Sequence, residues 1–217
     1  FYLSGSDPLT SDYVVVTADG QITYGAGAHF ASLGAGQTAT VTLTYTIHDT
    51  LDARATAQVN FTVAGTNDAP IAVDDAGYGV DSKTVLEFPV VGGVLANDHD
   101  PDSDDTIRVS AVEGNAFNVG QTIALQSGAL LTLNADGSFH YDPNGAFNWL
   151  KPFATATDTF AYTITDTRGA TDTAHVTIEV QGHPNEPPTA VADTARTDSN
   201  AAIRLHVLAN DSDPEGA

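Results

Sequence analysis

Apolar and polar residues alternate along two neighbouring stretches in the first third of the chain. Val41, Leu43, Tyr45 and Ile47 are interleaved with Thr42, Thr44, Thr46 and His48, and Ala57, Val59, Phe61 and Val63 with Gln58, Asn60, Thr62 and Ala64. The alternation returns as Phe160, Tyr162 and Ile164, then as Ala174, Val176, Ile178 and Val180. A period of two places each apolar set on one face of a strand, so these are half-buried strands of a sheet with one wet face. His48, His140 and His175 fall between core positions and are expected to face solvent. Residues 49–53 and 166–169 read as hairpin loops. Asn134-Ala135-Asp136-Gly137 reads as a turn between strands at 130–133 and 138–141. Phe147, Trp149 and Leu150 lie on a long connection and are expected to plug the core, a ligand platform being the lesser use of Trp149. No stretch carries a helical period. Short strands separated by closely spaced turns predict a β-sandwich.

The pattern is repeated at domain length. Ala18-Asp19-Gly20 with Tyr24 returns as Ala135-Asp136-Gly137 with Tyr141, and Tyr45-Thr46-Ile47-His48-Asp49 returns as Tyr162-Thr163-Ile164-Thr165-Asp166. Phe30 and Leu33 match Phe147 and Leu150 at the same offset, 135 − 18 = 117. Asn67-Asp68-Ala69-Pro70 matches Asn185-Glu186-Pro187-Pro188. The expected division is the C-terminal part of one sandwich repeat over residues 1–66, a complete repeat over 67–184 and the N-terminal part of a third over 185–217. The linkers, 65–69 and 182–187, are short and rich in Pro, Asn and Gly, so they are expected to be stiff connectors. The first repeat enters partway, as it would in a segment of a longer protein, and no signal peptide opens the chain.

Charge narrows the reading. Among 217 residues, 28 Asp and Glu face 7 Lys and Arg, for a formal net charge of −21. Nucleic acid and anionic membrane surfaces both select basic groups, so neither is an expected partner. No apolar run of about 18 residues predicts a membrane-spanning helix. The chain has no Cys, which fits either a cytosolic protein or a bacterial secreted protein without disulfides. Residues 94–105, Val-Leu-Ala-Asn-Asp-His-Asp-Pro-Asp-Ser-Asp-Asp, hold five aspartates, and residues 207–215, Val-Leu-Ala-Asn-Asp-Ser-Asp-Pro-Glu, nearly repeat their start. Like charges about 4 Å apart repel by about 1 kcal/mol in water and by more where water is excluded. Such a loop is either highly solvated or holds a cation. Aspartate oxygens at alternating positions are hard ligands, and Ca²⁺ takes six to eight of them. The loop is not an EF-hand, because Ser103 and Val109 stand where the turn glycine and the bidentate glutamate belong. Enzyme readings are poor: there is no Gly-x-Ser-x-Gly, P-loop or His-Glu-x-x-His, and no cleft-forming insertion accompanies the aspartates. The seven histidines are scattered, although His99 and His206 adjoin the acidic loops.

Asn67-Asp68-Ala69-Pro70 after a strand, Tyr-Thr-Ile-x-Asp before the last hairpin and Val-Leu-Ala-Asn-Asp-x-Asp-Pro in a loop together resemble the VCBS and bacterial cadherin-like repeats of large secreted adhesins, including the RTX adhesins. The resemblance covers essentially the whole chain, although the glycine-rich nonapeptide of RTX β-rolls is absent. It implies an all-β fold of tandem Ig-like or cadherin-like Greek-key β-sandwich domains, with Ca²⁺ at the junctions. It groups Asn67, Asp68, Asp98, Asp100, Asp102 and Asp104 near the first junction, with Asp166 facing the same pole and Asp74 and Asp75 close enough to add oxygens. Asn185, Glu186, Asp211 and Asp213 take the corresponding places at the second. The function it implies is a non-catalytic, Ca²⁺-stabilised extender region of an adhesin at the bacterial cell surface or outside the cell, acting in adhesion or biofilm. Its partners would be the neighbouring repeats of the same chain, with surface glycan or protein ligands met through other domains. Two alternatives stay open: a glycan- or protein-binding module, marked by aromatic residues clustered at one pole, and an accessory region of an extracellular hydrolase.

Overall fold

The structure is a computed structural model that describes residues 2–6, 13–17 and 20–213. Thirteen strands and two one-turn 3-10 helices, Val94–Ala96 and Ala116–Asn118, account for the regular structure of these residues. The first repeat contributes β1 (Tyr2–Ser6), β2 (Tyr13–Val16), β3 (Ile22–Gly25), β4 (Thr38–His48) and β5 (Arg54–Ala64). Strands β1, β4 and β5 form one antiparallel sheet, while β2 and β3 pair separately. Tyr24 on β3 stacks on Phe61 of β5 with ring centroids 5.1 Å apart, which brings the two layers together.

The central repeat is a two-layer sandwich. Its strands are β6 (Asp75–Asp81), β7 (Leu86–Phe88), β8 (Arg108–Val112), β9 (Thr122–Ala124), β10 (Leu130–Leu133), β11 (Phe139–Asp142), β12 (Thr155–Thr165) and β13 (Thr171–Gln181). One sheet has the order β7-β11-β10-β9 and the other β6-β13-β12-β8. Strands β12 and β13 pair antiparallel along their whole length, and β6 joins β13 in parallel. The two four-stranded sheets form the expected β-sandwich.

The alternating residues do what their period demands. Phe160, Tyr162, Ile164, Ala174, Val176, Ile178 and Val180 are all at most 1 % exposed. They pack against Leu131, Leu133, Phe139 and Tyr141 of the facing sheet. Among the buried strand positions Asp158 is charged, and it lies directly across from Ile178. Its carboxylate accepts the Tyr141 hydroxyl at 2.8 Å and the Ser127 hydroxyl at 2.6 Å, so the buried charge is hydrogen-bonded rather than stranded.

The connection at 143–153 corrects one expectation. Phe147 is buried and Leu150 packs at the core edge, but Trp149 is 70 % exposed. Leu150 N–H donates to Phe147 C=O at 3.0 Å, closing a tight turn. Residues three apart in such a turn share a side, so 147 and 150 point inward and 149 points out.

Residues 188–213 form no strand but reproduce the start of the central repeat. Thr189 bridges Ser212 as Ile71 bridges His99. Among the described residues no helix is long and apolar enough to cross a membrane.

Candidate metal centre

The acidic loop is held at its base before it reaches the junction. The Ile71–His99 bridge, with N···O distances of 2.8 and 3.2 Å, pins the chain that follows the linker against the loop. Asp98 belongs to this anchor: one carboxylate oxygen accepts Val73 N–H at 2.8 Å and the other lies 3.0 Å from the Tyr162 hydroxyl. That hydroxyl also lies 3.0 Å from Asp75 and near the carbonyls of Val73 and Val94. A phenol has one proton, so these acceptors share it. Burial, only partly offset by the Val73 and Tyr162 bonds, raises the Asp98 carboxyl. Burial likewise lifts Asp75 to about 6.

Two residues on, the loop turns to the junction. Asp100 accepts Asp102 N–H on one oxygen at 2.8 Å, a local turn that aligns the pair. Asp102 accepts Asp68 N–H from the linker at 3.0 Å. From the same linker, Asn67 donates its side-chain amide to Asp166 at 2.8 Å and to Asp68 C=O at 3.0 Å. Asp166 opens the β12–β13 hairpin, where its other oxygen accepts the N–H groups of Arg168, Gly169 and Ala170. Burial opposes ionisation of Asp166, but these bonds and the Asn67 amide outweigh it and hold its carboxyl below the usual range. Four elements, the linker, the acidic loop, the hairpin and β12, thus meet at one pole.

One oxygen from each of Asp100, Asp105 and Asp166 lies within 4.8 Å of the others. The hydrogen-bond chain leaves three oxygens without partners, all buried: Asn67 Oδ1, Asp100 Oδ2 and Asp102 Oδ1. A stranded buried acceptor costs about 1–3 kcal/mol, more when charged, and three on one bonded chain call for an occupant. Burial raises the Asp100 carboxyl, and the nearby charges of Asp105, Asp102 and Asp166 add to the rise. The donor set is all oxygen and mostly carboxylate, which fits a hard cation of the Ca²⁺ type.

The sequence-expected residues therefore separate. Asn67, Asp100, Asp102 and Asp166 converge. Asp68 supplies its backbone N–H while its side chain is exposed. Asp98 and Asp75 turn to Tyr162. Asp74 pairs with His175 at 3.6 Å. Asp104 accepts Arg168 at 2.9 Å. Asp105 joins the cluster and also bonds the Arg168 guanidinium and the Thr167 hydroxyl. Arg168 escaped the pattern-based reading, although its signal was present: it is the single Lys or Arg between Lys151 and Arg196 in an acidic chain.

The upstream repeat completes the pole. Ser32 C=O accepts both N–H and hydroxyl of Ser103, at 3.2 and 3.1 Å, and Ala35 C=O accepts Arg168 at 3.1 Å. Gly34 is buried between them, and a Cβ there would lie 2.4 Å from Asp104 Oδ1. Real Cβ contacts are essentially never so short, so any side chain at 34 would force the Asp104 carboxylate to move aside.

The second linker repeats the first as far as the described residues extend. Asn185 donates to Glu186 C=O at 3.0 Å. Asp211 accepts Val191 N–H at 2.8 Å, and Asn210 donates to Val191 C=O at 3.2 Å, as Asp98 and Asn97 do with Val73. Asp213 stands where Asp100 does in the central repeat.

A family model of the bacterial cadherin-like domain matches residues 67–182. Solved structures with similarity to the chain include Drosophila N-cadherin EC1-4, at 13 % identity over 87 % of this chain and 44 % of that one, with a TM-score of 0.45. Mouse protocadherin-24 EC1-3 is 15 % identical over 88 % of this chain and 58 % of that one, with a TM-score of 0.41. The chain spans less than two thirds of either structure. No curated protein matches it.

Proposed function

Because this chain belongs to the bacterial cadherin-like domain family through residues 67–182, we propose that it is a non-catalytic extender segment of a large bacterial adhesin, outside the cell or on its surface, built from tandem sandwiches. In this reading the repeats divide near residues 66 and 184, and Ca²⁺ at each junction locks neighbours into a rod. The observation that carries it is the trio of buried, unpartnered oxygens on Asn67, Asp100 and Asp102. These three, with Asp105 and Asp166, supply five donor side chains, and water completes the six to eight that Ca²⁺ takes. Bound there, the ion would add positive charge to that of Arg168, which reaches the cluster through Asp105. The chain's own residues do the rest: the linker holds Asn67 and Asp68, the hairpin presents Asp166, and Ser32 and Ala35 bring up the preceding repeat. Extracellular modules bind Ca²⁺ at about 10⁻⁴–10⁻³ M. A millimolar medium would fill the sites, and a cytosol would leave them empty and the chain pliable for export. Small-angle scattering with millimolar Ca²⁺ and with chelator tests this. The maximum dimension should lengthen with Ca²⁺ in the native chain and stay at its chelated value in Asp102→Ala. Equal dimensions in all samples would remove the ion from the junction.

A further inference from the structure

The hairpin that carries Asp166 is built twice in this chain. Asp166 N–H donates to Ala170 C=O and Asp49 N–H to Ala53 C=O, both at 3.1 Å. Asp166 Oδ1 accepts the N–H groups of Arg168 and Ala170 at 2.9 and 2.8 Å, and Asp49 Oδ1 accepts those of Leu51 and Ala53 at 2.8 and 2.9 Å. Gly169 and Asp52 both take the left-handed backbone that closes the turn, with φ of 96° and 67°. Position 168 is therefore position 51, one repeat on. Leu51 is 89 % exposed, and its hairpin closes all the same. The hairpin needs no charged side chain at this place, so the task of Arg168 lies beyond it.

The Arg168 guanidinium joins three elements. From the hairpin it donates to Asp104 at 2.9 Å and to Asp105, both on the acidic loop, and to Ala35 C=O of the preceding repeat at 3.1 Å. The Asp105 side chain is wholly buried and also accepts the Thr167 hydroxyl. An arginine stays charged at any pH the protein meets, and charge-assisted bonds from its planar fork are about twice as strong as neutral ones. Other bonds between the two loops, from the N–H and hydroxyl of Ser103 to Ser32 C=O at 3.2 and 3.1 Å, are neutral. They hold only while the acidic loop stays in place, and there Asp105 lies beside Asp100 and Asp166. Without the guanidinium, like charges would push the loop off the hairpin and carry Ser103 away from Ser32.

We propose that Arg168 fastens the preceding repeat to the central one without a metal, by neutralising Asp104 and Asp105 and holding the upstream loop through Ala35 C=O. The junction then has two fasteners. The arginine keeps the repeats in contact when the cation site is empty. The ion, held by Asn67, Asp100 and Asp102 among others, fixes the angle between them. A repeat that carries leucine at this place, as the first does, lacks the arginine fastener, so junctions along one rod differ in how far they depend on the ion. This rests on the tandem-repeat reading above, while the part played by the arginine does not require the ion.

The chain has no cysteine, so spin labels at Thr62→Cys and Thr157→Cys report the first junction of the full chain without background. In chelator the native chain should show a defined distance peak, and millimolar Ca²⁺ should sharpen it. Arg168→Leu should lose the peak in chelator and regain it in millimolar Ca²⁺, because the ion then supplies the charge. Asp104→Asn, which leaves the hairpin as it is, should broaden the peak in chelator as well, so the test does not hang on the folding of one variant. A peak that survives either change in chelator would overturn the proposal. So would a peak lost from Arg168→Leu with and without Ca²⁺ while the native peak sharpens with the ion, since the arginine would then build the cation site rather than act beside it. If the native peak ignores Ca²⁺ and Arg168→Leu still loses it, the calcium reading fails and the arginine fastener stands.

Discussion

Asp100→Asn separates a cation site from a merely acidic loop, because its advantage over the native chain should shrink when Ca²⁺ is added. The substitution keeps one oxygen for the Asp102 N–H, at 2.8 Å in the native chain. It converts the unpartnered Oδ2 into an amide donor beside carboxylates that need one. The oxygens lie within 4.8 Å of one another, and two unit charges at that limit repel by about 3–4 kcal/mol at an effective dielectric of about 20. Asp100 faces two such neighbours, and Arg168 offsets part of their charge through Asp105. Removing its charge should therefore stabilise the metal-free protein by about 1–3 kcal/mol. With Ca²⁺ present the variant loses one anionic ligand. A site held at ten times its dissociation constant contributes about 1.4 kcal/mol, and most of that should disappear. About 1 kcal/mol corresponds to about 4 °C in melting temperature for a domain of this size. Calorimetry at pH 7.5 should thus find the variant melting above the native chain in chelator by about 4 °C or more. It should gain little from millimolar Ca²⁺, while the native chain gains about 5 °C. A variant less stable than the native chain in chelator, with an undiminished Ca²⁺ response, would refute the reasoning.

Three further outcomes are expected. Ile178→Asp would place a second carboxylate across from buried Asp158 and should cost more than about 4 kcal/mol by denaturant unfolding, whereas Thr177→Asp, on the wetter face, should cost under about 1; similar losses would mean that the strand faces are misassigned. Burial holds Asp75 near 6 when folded, above an unfolded aspartate, so its contribution is complete below about pH 4 and is lost as pH rises through about 6. Asp75→Asn should then be nearly neutral at pH 4 and stabilising by about 1–3 kcal/mol at pH 8, and no gain at pH 8 in denaturant titrations would contradict the buried-charge account. Gly34→Lys should loosen the first junction, seen as a shorter maximum dimension in scattering, while the melting of the central repeat stays put, because the clash is with Asp104 and not with the core.

Much of the sandwich was legible in the chain. The pleat reverses side-chain direction at every residue, so alternation alone assigns Phe160, Tyr162, Ile164, Val176 and Ile178 to the core, where they are found. The junction loops were legible as acidic and repeated, because composition and self-similarity need no coordinates. Which aspartates converge was a tertiary decision. Asp98 and Asp100 are two apart and look alike, yet the bridge from His99 to Ile71 turns one toward Tyr162 and leaves the other facing Asp166. Asn67 and Asp166 are 99 residues apart and meet only because the linker crosses the hairpin end. Trp149 follows the same logic: hydrophobicity suggested the core, but a tight turn gave the inward places to Phe147 and Leu150. Periodicity encodes which face a side chain takes within an element. The partners across elements depend on how loops are pinned, and that is set by a few long-range hydrogen bonds with no local signature.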